Sequence, residues 1–204
     1  MRQLSLAFAA IAALLIALPT QAATLLVSGF TLTGATGVNV NGTLYDVSLV
    51  DGACSVVFTG CDSNLDFAFT NVTDATAAAQ ALLDQVFVDG LDGPFDTTPF
   101  LTNGCADPII CTAWIPYNVA GIDVSLMTAT NTNGVDFLQA GIADPSADTS
   151  QSSQLVWARF TLSATTPGIP EPGSWAMMLL GFGAIGALMR YRPRKAMSTA
   201  AAQA

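Results

Sequence analysis

The chain of 204 residues contains no histidine and has little positive charge, with six Lys and Arg against 15 Asp and Glu. Residues 23–169 also lack Lys and Glu, and their 14 Asp and single Arg give them a net charge of −13. Because phosphate binding depends on Lys and Arg, this composition excludes a nucleic-acid partner. Most side chains that serve as general acids, bases or activated nucleophiles are also missing. We therefore expect a protein that is not an enzyme.

The N-terminus has the three regions of a secretory signal peptide. Arg2 makes the start positive, residues 4–18 are almost continuously apolar, and the small residues Thr20 and Ala22 precede Ala23. This order is typical of a Sec signal peptide. An uncleaved anchor would need about 20 apolar residues, more than this run supplies. We predict that residues 1–22 direct the chain to the Sec translocon and are removed by signal peptidase.

A second apolar run lies near the C-terminus. Residues 175–189 carry no charge, and at about 1.5 Å per residue they would span roughly 22 Å, less than the roughly 30 Å hydrocarbon core. Cations that follow a membrane helix keep the following segment in the cytoplasm. We expect a short transmembrane helix at about residues 174–189, an exported domain at 23–166 and a cytoplasmic tail at 196–204. The cations that would form this membrane stop are Arg190, Arg192, Arg194 and Lys195.

A Pro-Glu-Pro triplet precedes this apolar run. Pro170, Glu171 and Pro172, then Trp175 and the apolar run, then the basic cluster, together resemble the PEP-CTERM sorting domain of Gram-negative bacteria over about residues 168–195. The resemblance implies that the triplet and Trp175 are recognition residues for exosortase, a multi-pass membrane enzyme. It further implies transient anchoring in the inner membrane, a cut near the triplet, and a final location at the cell surface or in the extracellular matrix. Members of the family are associated with exopolysaccharide and biofilms.

The middle of the chain reads as short strands joined by turns. Alternating apolar runs are interrupted by Gly, Asn and Asp, and Asn41-Gly42 between two such runs predicts a hairpin. From Ala75 to Val86 the apolar residues fall at helical spacing instead. The sequence predicts a mainly β fold, formally α+β: a β-sandwich or curled antiparallel sheet with one amphipathic helix. Further predicted strands cover residues 65–69, 112–117, 122–128, 135–140 and 155–162.

Four cysteines indicate disulfides in an exported chain. Their spacing does not match zinc ligands, and no His is present to complete a metal site or to activate a thiol. Three pairings are possible in principle. We favour the connectivity in which each cysteine pairs with its nearest neighbour in the chain, because glycines bend the first segment and a proline bends the second. The predicted bridges join Cys54 to Cys61 and Cys105 to Cys111.

Two Asp-rich turns are the remaining candidates for chemistry. The first carries oxygen ligands at alternate positions, as calcium loops do, but lacks the Gly and Glu that an EF-hand requires. In the second, glycines would let carboxylates converge. The alternative is that these Asp residues cap turns and keep the protein soluble. The candidate ligands are Asp62, Asn64 and Asp66 in the first turn, and Asp89, Asp92 and Asp96 in the second.

Three classes of function fit this sequence. The first is a non-enzymatic surface or matrix protein that contacts exopolysaccharide through exposed Trp or Tyr and needs no cofactor. The second is an adhesion or carbohydrate-binding module that depends on calcium, and the third is an exported hydrolase that uses Asp. The targeting segments favour the first class.

Overall fold

The computed structural model describes residues 22–164, 178–183 and 185. The chain divides into two compact units, Met1–Ser163 and Ala164–Ala204. In the second unit, residues 178–183 and 185 are helical. Among the residues described, no helix is long and apolar enough to cross a membrane. The predicted signal peptide, apart from Ala22, and most of the predicted transmembrane helix lie outside them.

One seven-stranded sheet forms the framework of the first unit, in the order β1-β2-β3-β9-β6-β7-β8. Neighbouring strands are antiparallel except β9 and β6, which run parallel. The strands of this sheet are β1 Thr24–Ser28, β2 Thr31–Val40, β3 Thr43–Val50, β6 Ile110–Ala120, β7 Asp123–Thr132, β8 Phe137–Ala143 and β9 Leu155–Leu162. A separate small hairpin consists of β4 Asp89–Gly90 and β5 Gly93–Pro94.

In the described part of the first unit, residues 22–163, the helices are few and mostly short. They are α1 Cys54–Val57, α2 Val72–Gln85, and three 3₁₀ turns at Asn64–Asp66, Pro99–Leu101 and Thr149–Gln151. The described part of the first unit is thus mostly β with one long helix, as predicted. It takes the curled-sheet form rather than the sandwich, since one sheet supplies nearly all of the strands.

Helix α2 lies on one face of the sheet. It contacts β7, β6 and β2, although β2 and β7 are separated by three strands, so the sheet curls around the helix. Ala75, Ala78 and Ala79 are fully buried and let the helix approach closely, while Leu82 is its largest fully buried side chain. The N-cap is Asn71, whose side chain accepts from the Asp74 amide at 2.9 Å. This face holds the larger part of the core.

Residues 54–67, the cover segment, pack on part of the opposite face. Phe58 meets the buried Trp157 of β9 edge to face, with ring centroids 5.5 Å apart. Asn64 fixes the segment to β6: it donates to Asn118 at 2.9 Å and accepts from the Val119 amide at 2.6 Å. The sheet is therefore covered on both faces near β9, which explains why consecutive residues of that strand are buried.

Both predicted disulfides are confirmed. Cys54 and Cys61 have Cα atoms 5.8 Å apart, and Cys105 and Cys111 are 5.7 Å apart at Cα. The first bridge lies in the cover segment, and the second ties the chain before β6 to that strand. The first bridge therefore closes the cover segment on itself, and the second ties irregular chain to the sheet.

The predicted hairpin is also confirmed, since Asn41 and Gly42 have φ angles of 51° and 88° between β2 and β3. The predicted strand at residues 65–69 is wrong. Ser63 and Asp66 cap each other around a 3₁₀ turn there, and this local hydrogen bonding competes with an extended chain.

Candidate functional site

Part of the sheet face opposite α2 lies beyond the cover segment and forms an open groove of about 330 Å³. Such a volume is at the lower end of the range of small-molecule sites, which is about 300 to 1,000 Å³. All of its lining comes from three adjacent strands. The lining residues are Ile110, Thr112 and Trp114 of β6; Leu126, Thr128 and Thr130 of β7; and Phe137, Gln139, Ala140, Gly141 and Ile142 of β8.

The strand register arranges these side chains in rows, because alternate residues of a strand face the same side and paired residues lie opposite each other. Successive rows along a strand are about 6.8 Å apart, and neighbouring strands are about 4.8 Å apart. The rows therefore make an array about 14 Å long and 10 Å wide. One row is Thr112, Thr130 and Phe137, the next is Trp114, Thr128 and Gln139, and the third contains Leu126 and Gly141.

Two aromatic side chains lie on the two outer strands of this array, Trp114 on β6 in the middle row and Phe137 on β8 in the first row. Trp114 is half-buried, and its ring meets that of Trp157 edge to face at a centroid distance of 5.1 Å. The Trp157 indole is in turn held by a 2.9 Å hydrogen bond to the Gly52 carbonyl. Phe137, on the edge strand β8, is 46 % exposed. One ring is thus fixed by the core and the other faces solvent.

Polar atoms fill the space between the rings. Thr112 and Thr130 share a hydrogen bond at 3.2 Å, and the Thr128 hydroxyl donates to the Gln139 carbonyl at 3.1 Å. The Gln139 side chain is exposed. These hydroxyl and amide groups can both donate and accept hydrogen bonds, as a polyhydroxylated ligand requires.

The floor of the groove depends on the absence of a side chain at Gly141. A Cβ atom there would lie 3.0 Å from Cδ1 of the buried Leu126. Because Gly141 has no side chain, Leu126 can pack against it without a close contact.

No ionisable side chain lines the groove. Asp107 and Asp136 lie beside its end: the Ile110 amide donates to Asp107 at 3.2 Å, and Asp136 immediately precedes Phe137. Hydrogen bonds from the Gln154 side chain, chiefly, and from the Ile109 and Ile110 amides lower the pKa of the Asp107 carboxyl. The groove is thus neutral, and its surroundings are acidic.

Asp136 has the opposite shift. Its partial burial raises the pKa of the carboxyl, and the nearby Asp96 carboxyl raises it further, whereas the Thr132 amide, which donates at 2.8 Å, opposes the rise. Ionising both carboxyls brings like charges together. Burial and the neighbouring carboxyl therefore both disfavour the ionised form of Asp136.

In the first predicted calcium turn, Asp66 and Asn64 use their side-chain polar atoms within the protein. Asp66 accepts from the Asp62 amide at 3.2 Å and from the Ser63 amide at 3.1 Å. Asn64 is occupied by its bonds to β6. These contacts support the interpretation that the acidic residues cap turns.

The second turn behaves in the same way. Asp89 accepts from the Asp96 amide at 2.9 Å, from the Thr97 amide at 3.1 Å and from the Thr97 hydroxyl at 2.9 Å. The Thr97 amide is the main cause of the lowered pKa of Asp89. Asp92 lies between β4 and β5. Within residues 22–164 and the short described helix, no three His, Cys, Asp or Glu side chains are grouped to hold a metal ion.

Of the Trp and Tyr residues expected to contact a ligand, the structure places only some at the surface. Trp157 is buried, and Tyr45 packs in the core against Phe69 and Phe160. Trp114 is the tryptophan that lines the groove. Sequence reasoning did not identify the groove, although the alternation of Thr112 and Trp114 with buried neighbours indicated a second face.

The predicted sorting residues, the triplet at 170–172, Trp175 and the four cations of the basic cluster, lie outside the described residues. Residues 168–195 match the family described as the PEP-CTERM protein-sorting motif. No curated protein and no solved structure matches the chain. The motif indicates an exported protein that is sorted by exosortase after transient anchoring in the membrane.

Proposed function

We propose that this exosortase-sorted chain is a non-enzymatic surface or matrix protein that binds exopolysaccharide in the groove on β6, β7 and β8. Its sorting motif holds the exported domain briefly in the inner membrane, where exosortase cuts near Pro170–Pro172 and lets the domain pass to the cell exterior. The groove then contacts the polysaccharide of the matrix. The observation that carries the proposal is the combination of two aromatic rings with the half-buried Thr112 and the exposed Gln139 on a sheet face that the cover segment leaves open.

The chemistry of the lining fits a sugar. The face of an aromatic ring is electronegative and attracts the polarised C–H groups on one face of a pyranose ring. The hydroxyl of the half-buried Thr112 and the amide of the exposed Gln139 can satisfy sugar hydroxyls around that contact. Trp114 is already positioned by Trp157, so binding does not have to order it.

The lining also favours binding over turnover. Hydrolysis of a glycosidic bond commonly uses a pair of carboxyl groups on either side of the bond. The residues that line the groove include none. The nearest carboxyls along the chain, Asp107 and Asp136, do not line it. A ligand in the groove would therefore meet no general acid and base.

Affinity electrophoresis of the protein from its native host, in gels that contain the host exopolysaccharide, tests the binding. Phe137→Ala should reduce the affinity about tenfold, which corresponds to one stacking contact. The matched control is Phe30→Ala, because Phe30 is 86 % exposed at the turn between β1 and β2, outside the groove. Equal retardation of both variants and the wild type would refute the groove as the binding site.

A further inference from the structure

We infer that the groove on β6, β7 and β8 selects uncharged glycan chains and rejects acidic ones, an inference that rests on the proposed function. Its lining supplies aromatic, aliphatic, hydroxyl and amide groups but no charge. An acidic sugar, such as a uronate or a sulfated residue, would lose hydration of its anion on entering the groove. No lining cation could replace that hydration.

The only cation among the described residues is Arg159. It lies on β9 opposite Ser48 of β3, and it does not line the groove. Residues 22–164 carry 14 Asp against this one Arg. An approaching anion therefore meets net repulsion from the whole domain, and it finds no basic side chain in the groove.

The nearest carboxylates increase this repulsion. Asp107 is bonded to the backbone of Ile110, a lining residue, and Asp136 is adjacent to Phe137 in sequence. Each is thus next to a lining residue, through a hydrogen bond or along the chain, and its charge adds to the negative field that an anion meets near the groove. A neutral sugar experiences no such penalty.

The sheet edge fits a polymer rather than a single sugar. In the part of the sheet that the structure describes, β8 is the last strand, so no further strand walls the groove on that side. A chain longer than the array of about 14 Å by 10 Å can continue past the edge. The groove is thus suited to an internal segment of a neutral polysaccharide.

The experiment separates the exopolysaccharide of the native host into neutral and anionic fractions on an anion exchanger. The mature protein, isolated from its native host after sorting, is then tested against each fraction. Wild type should bind the neutral fraction with an affinity that changes less than about twofold between roughly 0.05 and 0.5 M salt, since no charge pair is involved. Its binding to the anionic fraction should be at least about tenfold weaker.

A charge substitution in the groove provides the sharpest comparison. Gln139 is exposed, so Gln139→Lys should fold normally and place one cation among the lining residues. This variant should gain about fivefold in affinity for the anionic fraction, an effect that salt removes. Gln139→Glu is the matched control, and it should show no such gain.

The outcomes distinguish the inference from the proposed function. If wild type binds the anionic fraction as tightly as the neutral one, and Phe137→Ala weakens both, the groove binds glycan but the selectivity for uncharged chains is wrong. If Phe137→Ala changes the binding of neither fraction, the proposed function itself is wrong. Preferential binding of the neutral fraction that Phe137→Ala abolishes supports both.

Discussion

Removal of the Cys54–Cys61 bridge should destabilise the domain by an amount that its loop length determines. The bridge closes a loop of eight residues, counting both cysteines, and both side chains are fully buried. The relevant variant carries Cys54→Ala and Cys61→Ala together, because a single substitution would leave a reactive thiol. Alanine fits the same space and introduces no polar group.

The size of the effect follows from the entropy that the bridge removes from the unfolded chain. For eight residues, the loop-closure relation gives about 2.5 kcal/mol at 25 °C. In a domain of this size, each kcal/mol shifts the melting temperature by roughly 2 to 4 °C. The double variant should therefore melt about 5 to 10 °C below wild type, and hydrogen exchange should accelerate first in the cover segment.

Urea unfolding with linear extrapolation measures the free energy of unfolding directly. The matched comparison is the variant Cys105→Ala with Cys111→Ala, whose loop is one residue shorter and whose expected loss is nearly the same, about 2.4 kcal/mol. If the Cys54–Cys61 variant unfolds at the same urea concentration as wild type, the cover segment is not held by this bridge and the reasoning fails.

Three further predictions concern the core and the carboxylates. Leu82→Ala should lower the free energy of unfolding in urea by about 2 to 5 kcal/mol, because it removes the largest fully buried side chain of α2. A loss below about 1 kcal/mol would mean that the site collapses to fill the cavity. Asp136→Asn should raise the free energy of unfolding at neutral pH. The raised pKa of Asp136 makes its ionised form destabilising above that pKa, and this penalty disappears as the pH falls below the ordinary value of 3.8, where variant and wild type should converge. The calcium hypothesis for the turns at residues 62–66 and 89–96 predicts a melting temperature that rises more with millimolar calcium than with magnesium; equal shifts would leave these residues with their capping role alone.

Local patterns predicted the elements whose formation depends on neighbouring residues. The Asn41-Gly42 turn fixes the β2–β3 hairpin by itself, and the apolar spacing from Ala75 to Val86 locates α2 to within three residues at its start. The strand predicted at residues 155–162 matches β9. In each case the sequence signal lies within the element.

The pairing of strands that are distant in the chain could not be predicted from the sequence in this way. The parallel contact between β6 and β9 joins Trp114 to Trp157, which are far apart in the chain. On β9, the cover segment buries Trp157, whereas Leu162 at the end of the strand is 69 % exposed. Which strands are neighbours determines burial here, and a single strand does not encode it.

The groove was missed for the same reason. Thr112, Thr128 and Phe137 belong to three strands, and only their register brings them together. Single-sequence patterns could show that each strand has a polar or aromatic second face. They could not show that the cover segment ends before these residues and leaves that face open.

The intact mass of the mature protein, compared between its native host and a host that lacks exosortase, tests the central claim most directly. The account predicts a chain that begins at Ala23, ends near Pro170–Pro172 and contains two disulfides. Without exosortase, the chain should keep residues 173–204 and remain in the membrane fraction. A mass that includes residues 173–204 in both hosts would contradict the account, since the exported domain would then never be released by sorting.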